Sequence, residues 1–65
     1  MLRTRVFELY DPQYTNLSEL ARAMGISVSQ AYRVRQGKRG INQIFITGAL
    51  KAFPGRKFED LFYID

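Results

Sequence analysis

The chain has 65 residues, 46% hydrophobic, 14% aromatic and 25% charged, with ten Lys and Arg against six Asp and Glu for a net charge of +4. That length supports one small domain (residues 1–65), which buries only about 60% of the surface its unfolded form exposes and has little core to spare for an internal pocket. Cysteine and histidine are both absent, which excludes a disulfide framework, a zinc–thiolate site and the commonest metal ligand and general base. No cofactor or metal is expected.

Residues 2–10 read as a first helix, because Leu2, Val6, Leu9 and Tyr10 fall on one stripe at helical spacing. Asp11 and Pro12 are expected to end it, since the residue before a proline avoids the α region. Arg3 and Arg5 break the opening residues, so no signal-peptide core is expected, and no apolar run is long enough to span a membrane. The expected location is the cytoplasm.

Asn16 is the expected N-cap of a second helix, with Glu19 placed to complete a capping-box-like arrangement. Leu17, Leu20, Ala21 and Met24 recur on one side of it. Gly25 then suits a left-handed turn, Ile26 plugs that turn, and Ser27 with Gln30 makes the capping box of a third helix reaching about Gln36. Gly37, Lys38, Arg39 and Gly40 read as a flexible basic loop. A fourth helix is expected over residues 42–53, capped by Asn42, with Ile46, Ala49, Leu50 and Phe53 facing inward. Pro54 and Gly55 stop it. A last, poorly capped helix covers residues 58–62, with Phe58, Leu61 and Phe62 packing back. No strand-like alternation is long enough to compete, so the expected fold is all-α, with five helices.

Residues 17–36, LSELARAMGISVSQAYRVRQ, carry the most specific signal. They read as two short helices joined at Gly25, the layout of a helix-turn-helix. On a wheel of ~100° per residue, Ala31 and Val34 point one way, while Val28, Ser29, Tyr32, Arg33 and Gln36 spread over the opposite side. The second group holds the tools of base reading. Arg bonds guanine in bidentate fashion, Gln bonds adenine, Ser bonds either, and Val touches a thymine methyl. Between Glu19 and Glu59 there is no acid, but there are Arg22, Arg33, Arg35, Lys38, Arg39, Lys51, Arg56 and Lys57. A surface of one sign attracts polyanions. The expected phosphate contacts are Arg22, Arg35, Lys38 and Arg39, with the amides at the start of the fourth helix, Asn42 and Gln43.

ELARAMGISVSQAYRVRQGKRG resembles the helix-turn-helix of the phage-repressor family, the Cro-like and lambda-repressor-like DNA-binding domains. The alanine, the glycine, the apolar residue after it, and the pair Ala31 and Val34 carry the resemblance. GKRG is similar to the family's connector into the fourth helix, and ALKAFPGRKFEDLF to its last two helices. The resemblance implies a five-helix lambda-repressor-like domain whose third helix enters the major groove, with Val28, Ser29 and Arg33 touching bases. It also implies a transcriptional regulator of bacterial or phage type that binds double-stranded DNA and no membrane. Whether such a chain pairs as a weak homodimer, or pairs only on DNA, stays open. Leu17 and Val28 depart from the pattern, standing where many relatives place polar residues. A mid-helix glycine at Gly48 is also unusual, costing about 1 kcal/mol relative to alanine.

A protein-interaction module, or an accessory factor for recombination that retains the fold, is the alternative. Ile44 points away from the inward stripe, and with Tyr63 and Ile64 it would form an oligomer surface. An enzyme is not expected. There is no glycine-rich phosphate loop, and the side chains of the adjacent Glu59 and Asp60 diverge on a helix.

Overall fold

The computed structural model describes the backbone of residues 1–65 and the side chains of residues 1–9 and 14–65. The element order is β1 (Leu2–Thr4), α1 (Val6–Gln13), α2 (Leu17–Met24), α3 (Val28–Arg35), α4 (Gln43–Ala52), α5 (Phe58–Leu61) and β2 (Phe62–Ile64). The five helices are present, but the all-α expectation is wrong: β1 and β2 pair as a two-stranded antiparallel sheet, giving a mixed helix-and-strand fold. The register sets Leu2 opposite Ile64, Arg3 opposite Tyr63 and Thr4 opposite Phe62. The first three residues of the expected first helix are therefore strand, and Phe62 leaves the last helix to become strand as well.

The strands exist because the chain's two ends meet. Asp65 N–H donates to the Met1 carbonyl at 3.0 Å, and Arg5 N–H donates to the Leu61 carbonyl at 2.7 Å. Thr4 Oγ1 donates to the same Leu61 carbonyl at 3.0 Å and accepts from Val6 N–H at 3.1 Å. One hydroxyl thus ends the strand, opens α1 and holds the C-terminal segment. Helix α1 runs past the stop expected at Asp11 and Pro12. A proline this close to a helix end forfeits one amide of the last turn rather than dividing a long helix.

The core is one cluster: Val6, Leu20, Met24, Phe45, Ala49, Ala52, Phe53, Leu61 and Phe62. The inward stripe of α4 differs from the expected one. Leu50 is exposed and Phe45 is buried, because Phe45, Ala49, Ala52 and Phe53 complete the i, i+4, i+7, i+8 stripe. Phe45 lies near the rings of Phe7 and Phe62, at 6.1 and 6.3 Å between centroids. Phe58 is also more exposed than expected. It covers Phe62 from outside, stacked at 5.0 Å. The first-turn carboxylate of Asp60 accepts from Lys57 N–H at 2.9 Å, which offsets the poor cap expected for α5. Tyr14 sets its ring edge-on to Phe53 at 5.7 Å, and its hydroxyl donates to the Ala52 carbonyl.

Gly48 now has a packing reason. A Cβ there would fall well inside contact distance of the Met24 carbonyl oxygen and 3.0 Å from Met24 Cβ. Helix α4 therefore crosses the end of α2 at a point where only glycine fits. Its propensity cost is offset by that close approach, which seats the α2–α3 turn on the core. Among the described residues, no helix is long and apolar enough to cross a membrane.

Candidate nucleic-acid interface

Local bonds fix both helices of residues 17–36 at their ends. The Asn16 side chain accepts from Glu19 N–H at 2.9 Å. Glu19 departs from a strict capping box: its carboxylate accepts from Thr15 N–H at 2.7 Å, one residue earlier than the cap. That bond, the Thr15 side chain and, last, the charge of Arg22 hold the Glu19 carboxyl below its ordinary value. Ser27 and Gln30 do form the reciprocal box, at 3.1 and 2.9 Å.

Both helices close the same way at their C-terminal ends. Gly25 adopts φ +76° and Ile26 N–H donates to the Ala21 carbonyl. Gly37 adopts φ +76° and Lys38 N–H donates to the Arg33 carbonyl at 2.9 Å. These are paired Schellman closures, which place a glycine in the left-handed region to satisfy the last carbonyls. The second one fixes the start of the basic loop. Lys38 is held by its own backbone to the turn that carries Arg33.

Helix α3 is tightly packed on one side and open on the other. Ala31 is completely buried, and Val34 packs against the core. Val28, Ser29, Tyr32, Arg33 and Gln36 are all exposed, and Tyr32 keeps 52% of its surface in solvent. Among the described residues, these five side chains make no intramolecular hydrogen bond or ion pair. The small inner residues let α3 sit close on α2, so its polar side projects.

The expected phosphate ligands are also exposed: Arg22 on α2, Arg35 at the end of α3, Lys38 and Arg39 beyond it, and Asn42 and Gln43 at the start of α4. Asn42 is a cap, accepting from Phe45 N–H at 2.9 Å. This leaves its side-chain oxygen engaged. Arg3 with Asp65, at 3.1 Å, is the one ion pair among the described residues, so the cations of the acid-free interval are not neutralised within the molecule.

Ile44 and Ile64, expected with Tyr63 on an oligomer surface, are both exposed. Ile44 is 60% exposed, but it lines a cleft with Met24, Gly25, Gln43, Thr47, Gly48 and Lys51. Tyr63 lies on β2, where the Arg5 guanidinium sits 4.3 Å from its ring centroid. From the sequence, Arg3 with Arg5 reads as ordinary surface charge rather than an N-terminal arm, but the sheet carries Arg3 to the edge of the basic loop. The only signal was a three-residue alternation, Leu2, Arg3, Thr4, too short to separate from helix.

No protein-family model, curated protein or solved structure matches this chain.

Proposed function

We propose that the chain is a sequence-specific double-stranded-DNA binder, with α3 lying in the major groove and the basic segment after it anchoring the phosphates. In this reading it is a transcriptional regulator of phage-repressor type, acting in the cytoplasm on nucleoid DNA. One observation carries the reading: the outer face of α3 combines Ser29, Arg33 and Gln36 with no internal partner, on a helix whose inner face and both ends are fixed. A rigid element presenting unsatisfied donors and acceptors is what base readout requires. Lys38 and Arg39 follow within one turn, where phosphate contacts set register rather than sequence preference.

Selection from random duplexes, followed by titration at several salt concentrations, tests the reading. Arg33→Ala should cost about 1–3 kcal/mol and relax preference at one base position. Lys38→Ala should weaken all sequences alike and reduce the slope of log affinity against log salt by about 1. Loss of all duplex affinity even at low salt would rule the reading out. The symmetry of the selected site reports whether one or two copies bind, since paired reading helices sit about 34 Å apart.

The exposed Ile44 favours one competing reading, a protein-contact module. Amide chemical-shift mapping separates the two. DNA perturbs residues 28–40, and a protein partner perturbs the first turn of α4 around Ile44.

A further inference from the structure

A cleft of about 470 Å³ separates the N-terminal strand from the loop that follows α3. Leu2, Arg3 and Thr4 form one wall, and Lys38, Arg39 and Ile41 the other. Arg3 thus lines one depression with Lys38 and Arg39, two cations from a distant part of the sequence.

The strand supplies donors as well as charge. In an antiparallel pair, alternate residues turn their amide groups to opposite edges. Met1 and Asp65 bond to each other, and Arg5 bonds to Leu61. By that alternation Arg3 bonds to Tyr63, its register partner. Leu2 and Thr4 therefore direct their N–H groups away from β2, toward the free edge that borders the cleft. Backbone amides flanked by cations suit a phosphate oxygen. The one acid at the site is Asp65, whose carboxylate holds Arg3 at 3.1 Å while both side chains remain more than half exposed.

We propose that this cleft seats a phosphate group, recruiting Arg3 and the free edge of β1 to the surface that carries Lys38 and Arg39. Asp65 competes with the phosphate for Arg3. The inference rests on the DNA-binding reading in taking that phosphate from the duplex backbone, next to the groove occupied by α3. The interface then extends beyond the helix-turn-helix onto the strand, and its salt dependence includes one more cation than the helices supply.

The test uses a random-sequence duplex titrated between about 50 and 200 mM salt, where each phosphate neutralised contributes about −0.9 to the slope. Arg3→Gln is expected to flatten the slope by about that amount and weaken binding several-fold at the low-salt end. Arg3→Lys is expected to restore the slope. Asp65→Asn breaks the same ion pair without removing a cation, so it is expected to tighten binding. A wild-type slope in Arg3→Gln overturns the proposal, and so does equal weakening by Arg3→Gln and Asp65→Asn, which would mean that the pair acts only on the fold.

Amide spectra with inorganic pyrophosphate separate this site from the DNA reading. If the wild type binds no duplex but pyrophosphate shifts Leu2, Thr4 and Lys38, the phosphate seat stands and the DNA reading falls. If neither duplex nor pyrophosphate moves those amides, the seat is overturned.

Discussion

The α2–α3 unit and the terminal sheet are both small, and opposite kinds of bond hold them. In the first, the decisive contacts span three to five residues: Asn16 with Glu19, Ser27 with Gln30, Ala21 with Ile26, Arg33 with Lys38. In the second, Thr4 reaches Leu61, 57 positions away. Local contacts need little loop closure and can form as the chain segment folds. The sheet needs nearly the whole chain brought round first, an entropic cost that only a finished core offsets. The surface proposed to read DNA is thus built from self-specifying pieces. The clasp beside it depends on everything between.

Four changes would break or sharpen that contrast. The largest effect is expected at Gly48, where α4 supports the turn of the local unit. Gly48→Ala inserts a methyl group against the Met24 carbonyl and should destabilise by about 1–3 kcal/mol, lowering Tm by about 4–8 °C per kcal/mol in a domain this small. A thermal melt showing higher stability would mean that the helices do not approach so closely. Ser27→Ala removes the capping oxygen of α3 and should cost about 1 kcal/mol. Its signature in hydrogen exchange is faster opening of α3 with the amides of residues 62–64 unchanged.

Thr4→Val is the mirror experiment. It removes the hydroxyl that bonds Leu61 and Val6, at about 0.5–1.5 kcal/mol per bond. Exchange should quicken at Val6 and Tyr63 while Ala31 and Val34 keep their protection. Uniform acceleration across both regions would show that they open as one unit. The smallest effect concerns acid. Because the Glu19 carboxyl is held below its ordinary value, the unfolded chain binds its proton more readily than the folded one. Its contribution to stability is complete above the ordinary carboxylate range and is lost as pH falls through the lowered value. Glu19→Gln should lower stability slightly at neutral pH, leave the acid end nearly untouched, and so flatten the acid limb of a pH–stability profile.

The legibility of this chain follows the same division. Asn16, Gly25, Ser27, Gln30 and Asn42 each announce their role within a few residues, and the structure places each in that role. Leu50 was expected inward and Phe45 was not, although both lie within a turn of the inward stripe. Only the position of the neighbouring aromatic rings, Phe7 and Phe62, selects between them. The strands were illegible for a different reason. Three residues at each end carry no usable period, and Leu2, Val6 and Leu9 fit a helical stripe equally well. Within the candidate interface, residues 28–39 were legible as an exposed basic surface. Arg3 was not, since nothing near it in sequence points to the loop after α3.

By itself the sequence determined where helices α2, α3 and α4 start, how α2 ends, and which side of α3 is polar, because caps and periodicity act between neighbours. Tertiary structure alone decided that the ends of the chain form a sheet, that Gly48 is a crossing point, and that Arg3 joins Lys38 and Arg39 around one cleft. Those outcomes depend on distances between segments far apart in the chain, which no local pattern encodes and only a completed core sets.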